Sequence, residues 1–383
     1  MTMKSRYYII IGLLALVVLA RCKQTFEPGL PSAETGYLVV EGIINSGSDA
    51  TVITLSRTVP LNQKQTLKPE GGAILRVESS TGIFYNFVES KRGTYTGGPF
   101  NLPAAATYRL NIKTTNGKTY QSAFVEVKPT PPIDDVGWER TPDGLTVNVS
   151  THDQANNTRY YRWDFEETWK YHADLESVLE STGTEIVTRR TPIYYCYRTT
   201  SATSILLTST VKLTDDVVSK FLLTNIPNLS EKLSEKYSIN VKQYALTKEG
   251  YEFWENQRKN TEQLGTIFDA QPSELAGNIR CLQNPAEPVV GFVSVSTEAR
   301  KRIFLTYNQV NWQTSPITNC RLDTVSPKQA LILFNFSPGF TPIKIPVRDL
   351  DPDRSGGGYL GADPPCADCR FKGGTTTAPL FWQ

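Results

Sequence analysis

Between Arg159 and Tyr171 the chain reads RYYRWDFEETWKY, and its large rings recur at every second position: Tyr161, Trp163, Phe165, then Trp169 and Tyr171. Arg162, Asp164, Glu166, Thr168 and Lys170 fill the alternate positions. Successive side chains of a strand point to opposite faces, so this run demands a long strand with one dry and one wet side. A second layer of structure must then cover the rings, and the aromatic face is read as core and not as a carbohydrate platform. Glu167 breaks the pattern, because alternation places it among the rings. A buried carboxylate has a raised pKa unless it is paired. Two readings follow. Glu167 is a structural buried carboxylate paired with an arginine of a neighbouring strand, such as Arg198 or Arg302, or Glu166 or Glu167 serves a secreted hydrolase. Glycoside hydrolysis needs a second carboxylate facing the first, and the structural reading is preferred.

The rest of the chain repeats the β signal in shorter units. YLVVEGII (37–44), ATVITLS (50–56), AILRVES (73–79), IFYNFVE (83–89), TYRLNIK (107–113) and TYQSAFVEV (119–127) follow one another, the last two joined by Asn116-Gly117. Asn-Gly between two strand-like runs is a strong hairpin signal. Residues 37–128 are therefore expected to form an immunoglobulin-like β-sandwich. The stretch Lys128-Pro-Thr-Pro-Pro-Ile133 reads as a stiff joint between domains. Beyond it, 133–348 is expected to be a second β-rich domain of fibronectin-III or immunoglobulin-like type. Its strands are read at VGWER, GLTVNVST, 159–171, 192–199, 202–213, 236–246, 289–297 and 301–307. One helical insertion near 247–264 is predicted, with Thr247 as cap, Glu249 in the first turn and Gly265 as terminator. Residues 349–363 read as a glycine-rich loop, and 349–383 as a cysteine-containing tail. With 18 Tyr, 16 Phe, 2 Met, 26 Gly and 24 Pro, the composition is that of a turn-rich β protein.

The N-terminus reads as an export signal. Lys4 and Arg6 precede an apolar run from Ile9 to Ala20, shorter than the roughly 20 residues a spanning helix needs. Residues 1–21 are taken as a signal peptide. Leu19-Ala20-Arg21-Cys22 resembles a bacterial lipoprotein cleavage site, with Cys22 lipidated and 22–36 a tether. Arg21 departs from that pattern, since a small residue normally precedes the cysteine. Cleavage after Ala20 to give a soluble periplasmic protein is the alternative. A lipidated Cys22 would anchor stably, because more than one acyl chain is attached.

The remaining chemistry is sparse. Forty basic against 38 acidic residues leave +2 without a basic block, so nucleic acid is not expected as a partner. Two histidines exclude most histidine-based catalysis. No nucleophile elbow, zincin motif, P-loop or dinucleotide fingerprint occurs, and no enzyme activity, cofactor or metal is expected. Asp349-Leu-Asp351-Pro-Asp353 opens like a calcium loop but has Arg354 and Leu360 where an EF-hand needs Gly and Glu. In an oxidising compartment cysteines become disulfides. Cys281, Cys320, Cys366 and Cys369 are read as half-cystines, with Cys196 also available and one thiol left over. Cys366 and Cys369 form a C-x-x-C pair, but without a second such pair for a zinc ribbon, and between Pro364-Pro365 and Gly373-Gly374, they read as a staple. Phe381 and Trp382 would then pack onto the second domain.

Taken in order, LVVEG (38–42), LSRT (55–58), YYRWDFEET (160–168), YSINVKQYAL (237–246), GYEFWENQRKN (250–260), LGTIFDAQPSELAGNIRC (264–281), GFVSVS (291–296), KRIF (301–304) and the C-terminal CADCR…GGTTTAPLFW resemble an uncharacterised Bacteroidetes lipoprotein family, domain of unknown function 4249. The resemblance implies an outer-membrane or surface lipoprotein, often encoded beside TonB-dependent receptors, with no assigned substrate or catalytic residue. The expected role is that of a non-catalytic accessory that binds the receptor or its cargo. A surface adhesin is a third reading beside the hydrolase.

Overall fold

The computed structural model describes residues 36–59, 68–262, 277–313, 320–335, 341–350 and 357–382. Residues 1–35, with the signal, the tether and Cys22, lie outside them, as does Gly265.

Strands account for most of the regular structure, and the first group forms a two-sheet sandwich. One sheet runs in the order Val289–Val290, Leu38–Glu41, Thr51–Arg57, Thr94–Gly97 and Val88–Lys91. In the other, Thr107–Lys113 is flanked on one edge by Ile74–Ser79 and on the other by Thr119–Ser122 and Val125–Lys128 in succession. Leu38, Val40, Ile53 and Leu55 of the first sheet meet Leu75, Val77, Leu110, Ile112 and Tyr120 of the second. Within Thr107–Lys113, Tyr108, Leu110 and Ile112 face this core, and Arg109 and exposed Lys113 lie on the other face.

The sandwich is not closed by residues 37–128 alone. Ile279–Cys281 pairs with Thr119–Ser122, Val289–Val290 runs parallel to Leu38–Glu41, and Val295–Ser296 runs parallel to both Ile44–Asn45 and Val125–Lys128. Residues assigned by sequence to the second domain therefore return to complete the first. Gly291 permits the close crossing: its φ is +140°, and a Cβ there would collide with the Val40 carbonyl oxygen. Periodicity marks a strand but carries no information about which sheet it will join.

The second domain stacks two further sheets. Ile133–Thr141, Gly144–His152 and Val217–Pro227 form one. Tyr195–Ser201, Tyr160–His172, Lys236–Ala245 and Glu298–Thr306 form the other, with Leu206–Ser209 also on Tyr160–His172. The aromatic face of 160–172 is core as expected: Tyr161, Trp163, Phe165, Trp169 and Tyr171 are all buried, against Val147, Val149, Leu223 and Ile226. The sequence reading misses Val217–Pro227. A bulge at Lys220, with φ +48°, and register shifts against Gly144–His152 break the alternation that would reveal it. The helix Lys248–Glu262 falls where predicted, and Thr247 Oγ1 accepts from Gly250 N at 3.1 Å as its cap.

Residues 351–356 of the expected loop lie outside the described residues, and the described part of the tail carries regular structure. Tyr359–Ala362 pairs with Asp323–Val325 and Ile345–Asp349, and Pro364–Ala367 and Cys369–Lys372 form short helical turns. Pro364 and Pro365 open the first of these turns, since Pro suits the first helical turn. Cys196–Cys369 and Cys320–Cys366 are the two disulfides. Cys281 is a correction: it is a buried free thiol, facing the sandwich core on Ile279–Cys281, while Cys196 takes the bridge. The C-x-x-C pair is a staple in the literal sense, because its members bind two different parts of the second domain.

Candidate functional site

The joint between the domains is stitched rather than hinged. Thr130 Oγ1 lies 2.8 Å from Ser296 Oγ and accepts from Ala245 N at 3.0 Å. Gln243 Nε2 donates to Pro131 O at 2.8 Å, and Gln243 Oε1 accepts from the buried Trp163 Nε1 at 2.9 Å. The long aromatic strand is thereby hydrogen-bonded, through one buried amide, to the proline segment that leads out of the first sandwich.

Beside this joint runs a groove of about 930 Å³, the space between the two domains. Its floor is the wet face of Tyr160–His172 and its neighbours. Strand register sets this face out in rows: Arg162, Tyr244 and Glu298; then Asp164, Lys242 and Arg300; then Glu166, Asn240 and Arg302, of which Glu166 lines the groove. Glu41, Ile43, Val52 and Thr54 of the first sandwich make one wall, and Trp254 of the helix makes another. The sequence-level alternation that buries five rings therefore also delivers Arg162, Asp164 and Glu166 to one open trough. A volume of this size lies within the range of ligand sites, which favour domain junctions.

Electrostatically, most of the floor is paired. Arg162 stacks 3.7 Å from the Trp254 ring centroid while its Nη2 donates to both Asp164 oxygens, at 3.1 and 3.3 Å. Tyr244 donates to Glu298 Oε2 at 2.6 Å, and burial together with that carboxylate raises its pKa far above the ordinary value. Burial opposes the charge of Arg300, but its contacts with Glu298 and Asp49 more than offset this and raise its pKa. Arg302, whose pKa burial lowers, sits 3.9 Å from Glu166 and donates to Ser238 Oγ at 3.1 Å. Lys242 is half-buried in the middle row, with no ion pair among the described residues.

Glu167 is placed where alternation predicts, at 5% exposure. Its partners are not the expected arginines. Lys232 Nζ lies 2.6 Å from Oε2, and Tyr237 donates to Oε1 at 2.7 Å. Burial and this carboxylate push the Tyr237 hydroxyl well above its ordinary pKa. Arg198 instead donates to the Lys372 carbonyl, and Arg302 belongs to Glu166. Glu166 and Glu167 therefore line different spaces. Glu167 borders a smaller groove of about 410 Å³ between Val217–Pro227 and the facing strands, and among the described residues it is the one carboxylate lining it. Lys232 lies on a short 3₁₀ turn, Glu231–Leu233, which no strand pattern could have singled out. Among the described residues, no group of three or more His, Cys, Asp or Glu side chains could hold a metal ion, and no helix is long and apolar enough to cross a membrane.

Against known families, residues 23–302 match a domain of unknown function, DUF4249. The chain belongs to this family. The DUF4249 match ends inside the strand Glu298–Thr306, so it contains both walls and the floor of the groove. The stapled tail, including CADCR…GGTTTAPLFW, follows the matched DUF4249 region. No curated protein matches the chain.

Proposed function

We propose that this DUF4249 chain is a non-catalytic lipoprotein, anchored to the outer membrane through Cys22, that assists a TonB-dependent receptor by holding receptor or cargo in the inter-domain groove. The observation that carries the reading is the groove itself. It lies on a rigid joint, and its carboxylates are largely engaged by arginines and a tyrosine of the same chain. Such a site offers shape and a fixed array of donors and acceptors, which suits recognition. A membrane tether would raise its effective concentration at a barrel without any further contact.

The test is affinity purification of tagged chain from membranes with mass spectrometry of partners, beside Cys22→Ala and Lys242→Glu. Recovery of an outer-membrane receptor with the wild type, its loss with Lys242→Glu, and release of Cys22→Ala into the soluble fraction are expected. A hydrolase built on Glu166 is the competing outcome. It would show as turnover of a polymer by the wild type that Glu166→Gln abolishes.

A further inference from the structure

The wet face of the first sandwich carries a second patterned surface, remote in character from the groove. Five strands lie side by side there: Phe84–Asn86, Ile74–Ser79, Thr107–Lys113, Thr119–Ser122 and Ile279–Cys281. Their register places Asn86, Arg76, Asn111, Gln121 and Arg280 in one row directly across the sheet. At about 4.8 Å per strand, the row spans roughly 19 Å. Glu78 and Arg109 lie in the adjacent row, and Lys113 in the row on the other side.

The hydrogen bonds divide these groups into two sets. Glu78 is saturated: Arg109 donates to both its oxygens at 2.8 and 2.9 Å, and Asn111 Nδ2 donates at 2.9 Å. Gln121 Nε2 donates to Asn111 Oδ1 at 2.6 Å, and Arg109 to Gln121 Oε1 at 3.3 Å. These bonds fix the centre of the face as a flat lattice. Arg76, Arg280 and Lys113 stand outside it, exposed and without an ion pair among the described residues. Arg76 is held 4.5 Å over the exposed Phe84 ring, and Arg109 4.6 Å over exposed Phe124. The acids beyond Arg280 are Glu249 and Glu252 of the helix, across the next groove, which bound the track at that end.

We propose that this face binds an extended acidic polysaccharide, with Arg76, Lys113 and Arg280 meeting its carboxylates, and half-buried Gln121 between Arg76 and Arg280 and exposed Asn86 beyond Arg76 meeting its hydroxyl groups. Charge complementarity selects the anion: three unpaired cations surround one carboxylate already neutralised within the sheet. The neutral amides of Gln121, between two of the cations, and of Asn86, at the end of the row, favour a polymer that alternates charge with hydroxyls over one of uniform charge. Nucleic acid fits poorly, because a guanidinium already lies over each exposed phenyl ring and leaves less of it free for base stacking.

The site is independent of the inter-domain groove, and the experiment keeps the two apart. Binding of polygalacturonate to the full chain, purified in detergent, is measured by calorimetry beside neutral dextran and duplex DNA. We expect binding to polygalacturonate, none to dextran, and at least a tenfold weaker affinity for Arg76→Ala/Arg280→Ala with an unchanged melting temperature. Lys242→Glu in the groove should leave this affinity as it is. An unchanged affinity in the double variant, no polygalacturonate binding at all, or equally tight binding of DNA would each overturn the proposal. Should the double variant melt lower, Lys113→Glu, at the exposed end of its strand, gives the same reading without the structural cost.

Discussion

At the scale of the residue, Glu167 shows what alternation can and cannot disclose. Its direction follows from counting positions along RYYRWDFEETWKY, since a strand has a strict period of two. Its partners do not, because Lys232 reaches it from a 3₁₀ turn and Tyr237 from a strand whose register only the folded sheet defines. Removing one member of a buried pair leaves the other uncompensated, which costs 3–5 kcal/mol when both are fully buried. Lys232 is partly exposed, so Glu167→Ala is expected to cost about 2 kcal/mol by chemical denaturation. Combining it with Lys232→Ala should recover part of that loss, a non-additivity a double-mutant cycle would measure. Partner capture in the larger groove should be unaffected. Glu78 supplies a pH dependence. Its hydrogen-bonded Arg109, helped by Asn111 and opposed by burial, lowers its pKa. A carboxylate with a depressed folded pKa adds stability that is present above its unfolded pKa and lost as pH falls through the folded one. Acid titration of the chain should therefore show destabilisation below the ordinary glutamate range, and Glu78→Gln should flatten that part of the profile.

Among the elements, the C-terminal staple is the most instructive. Cys369 N donates to Ile193 O, Tyr171 donates to Cys369 O at 2.9 Å, and Thr375 exchanges backbone bonds with Tyr197. Trp382 then lies 5.3 Å from Tyr197 and 5.8 Å from Phe304, while Arg302 sits 3.6 Å from the Phe381 ring. The tail thus continues across the wet face of the same sheet whose other end floors the groove. That the tail would dock was legible from its cysteines and its final aromatics. The choice of Cys196 over Cys281 was not, since pairing depends on which side chains the folded sheets bring within about 6 Å of one another. Because a disulfide closing a long loop contributes about 2–5 kcal/mol, Cys369→Ser should free the tail. Limited proteolysis with mass spectrometry is expected to find cleavage after Arg370 or Lys372 in that variant and in reduced wild type, and protection in the oxidised chain.

The whole molecule reads less easily from sequence than its parts do. Most strands were visible, and so was the division into two β-rich regions. The return of residues 279–296 to the first sandwich was hidden, because VVGFVSVST advertises strand without naming a neighbour. The inter-domain groove was hidden for a related reason: Arg162 and Glu41 line it together, yet they are far apart in sequence and come together only in the folded chain. One consequence concerns cooperativity. A fragment ending at Lys128 lacks the parallel strands that flank Leu38–Glu41 and Val125–Lys128. It is expected to be unfolded or aggregated by circular dichroism and size exclusion, whereas the intact chain should melt without a separate N-terminal transition.

The central claim, that the groove on this rigid joint captures a receptor or its cargo at the outer membrane, is tested most directly by one quantitative pull-down. Tagged wild type and Lys242→Glu are recovered from membranes at equal expression, and co-purifying outer-membrane receptor is measured by mass spectrometry. The account predicts receptor in near-stoichiometric amount with the wild type and at least a tenfold loss with Lys242→Glu. Equal recovery by the two, or no receptor with either, would contradict it.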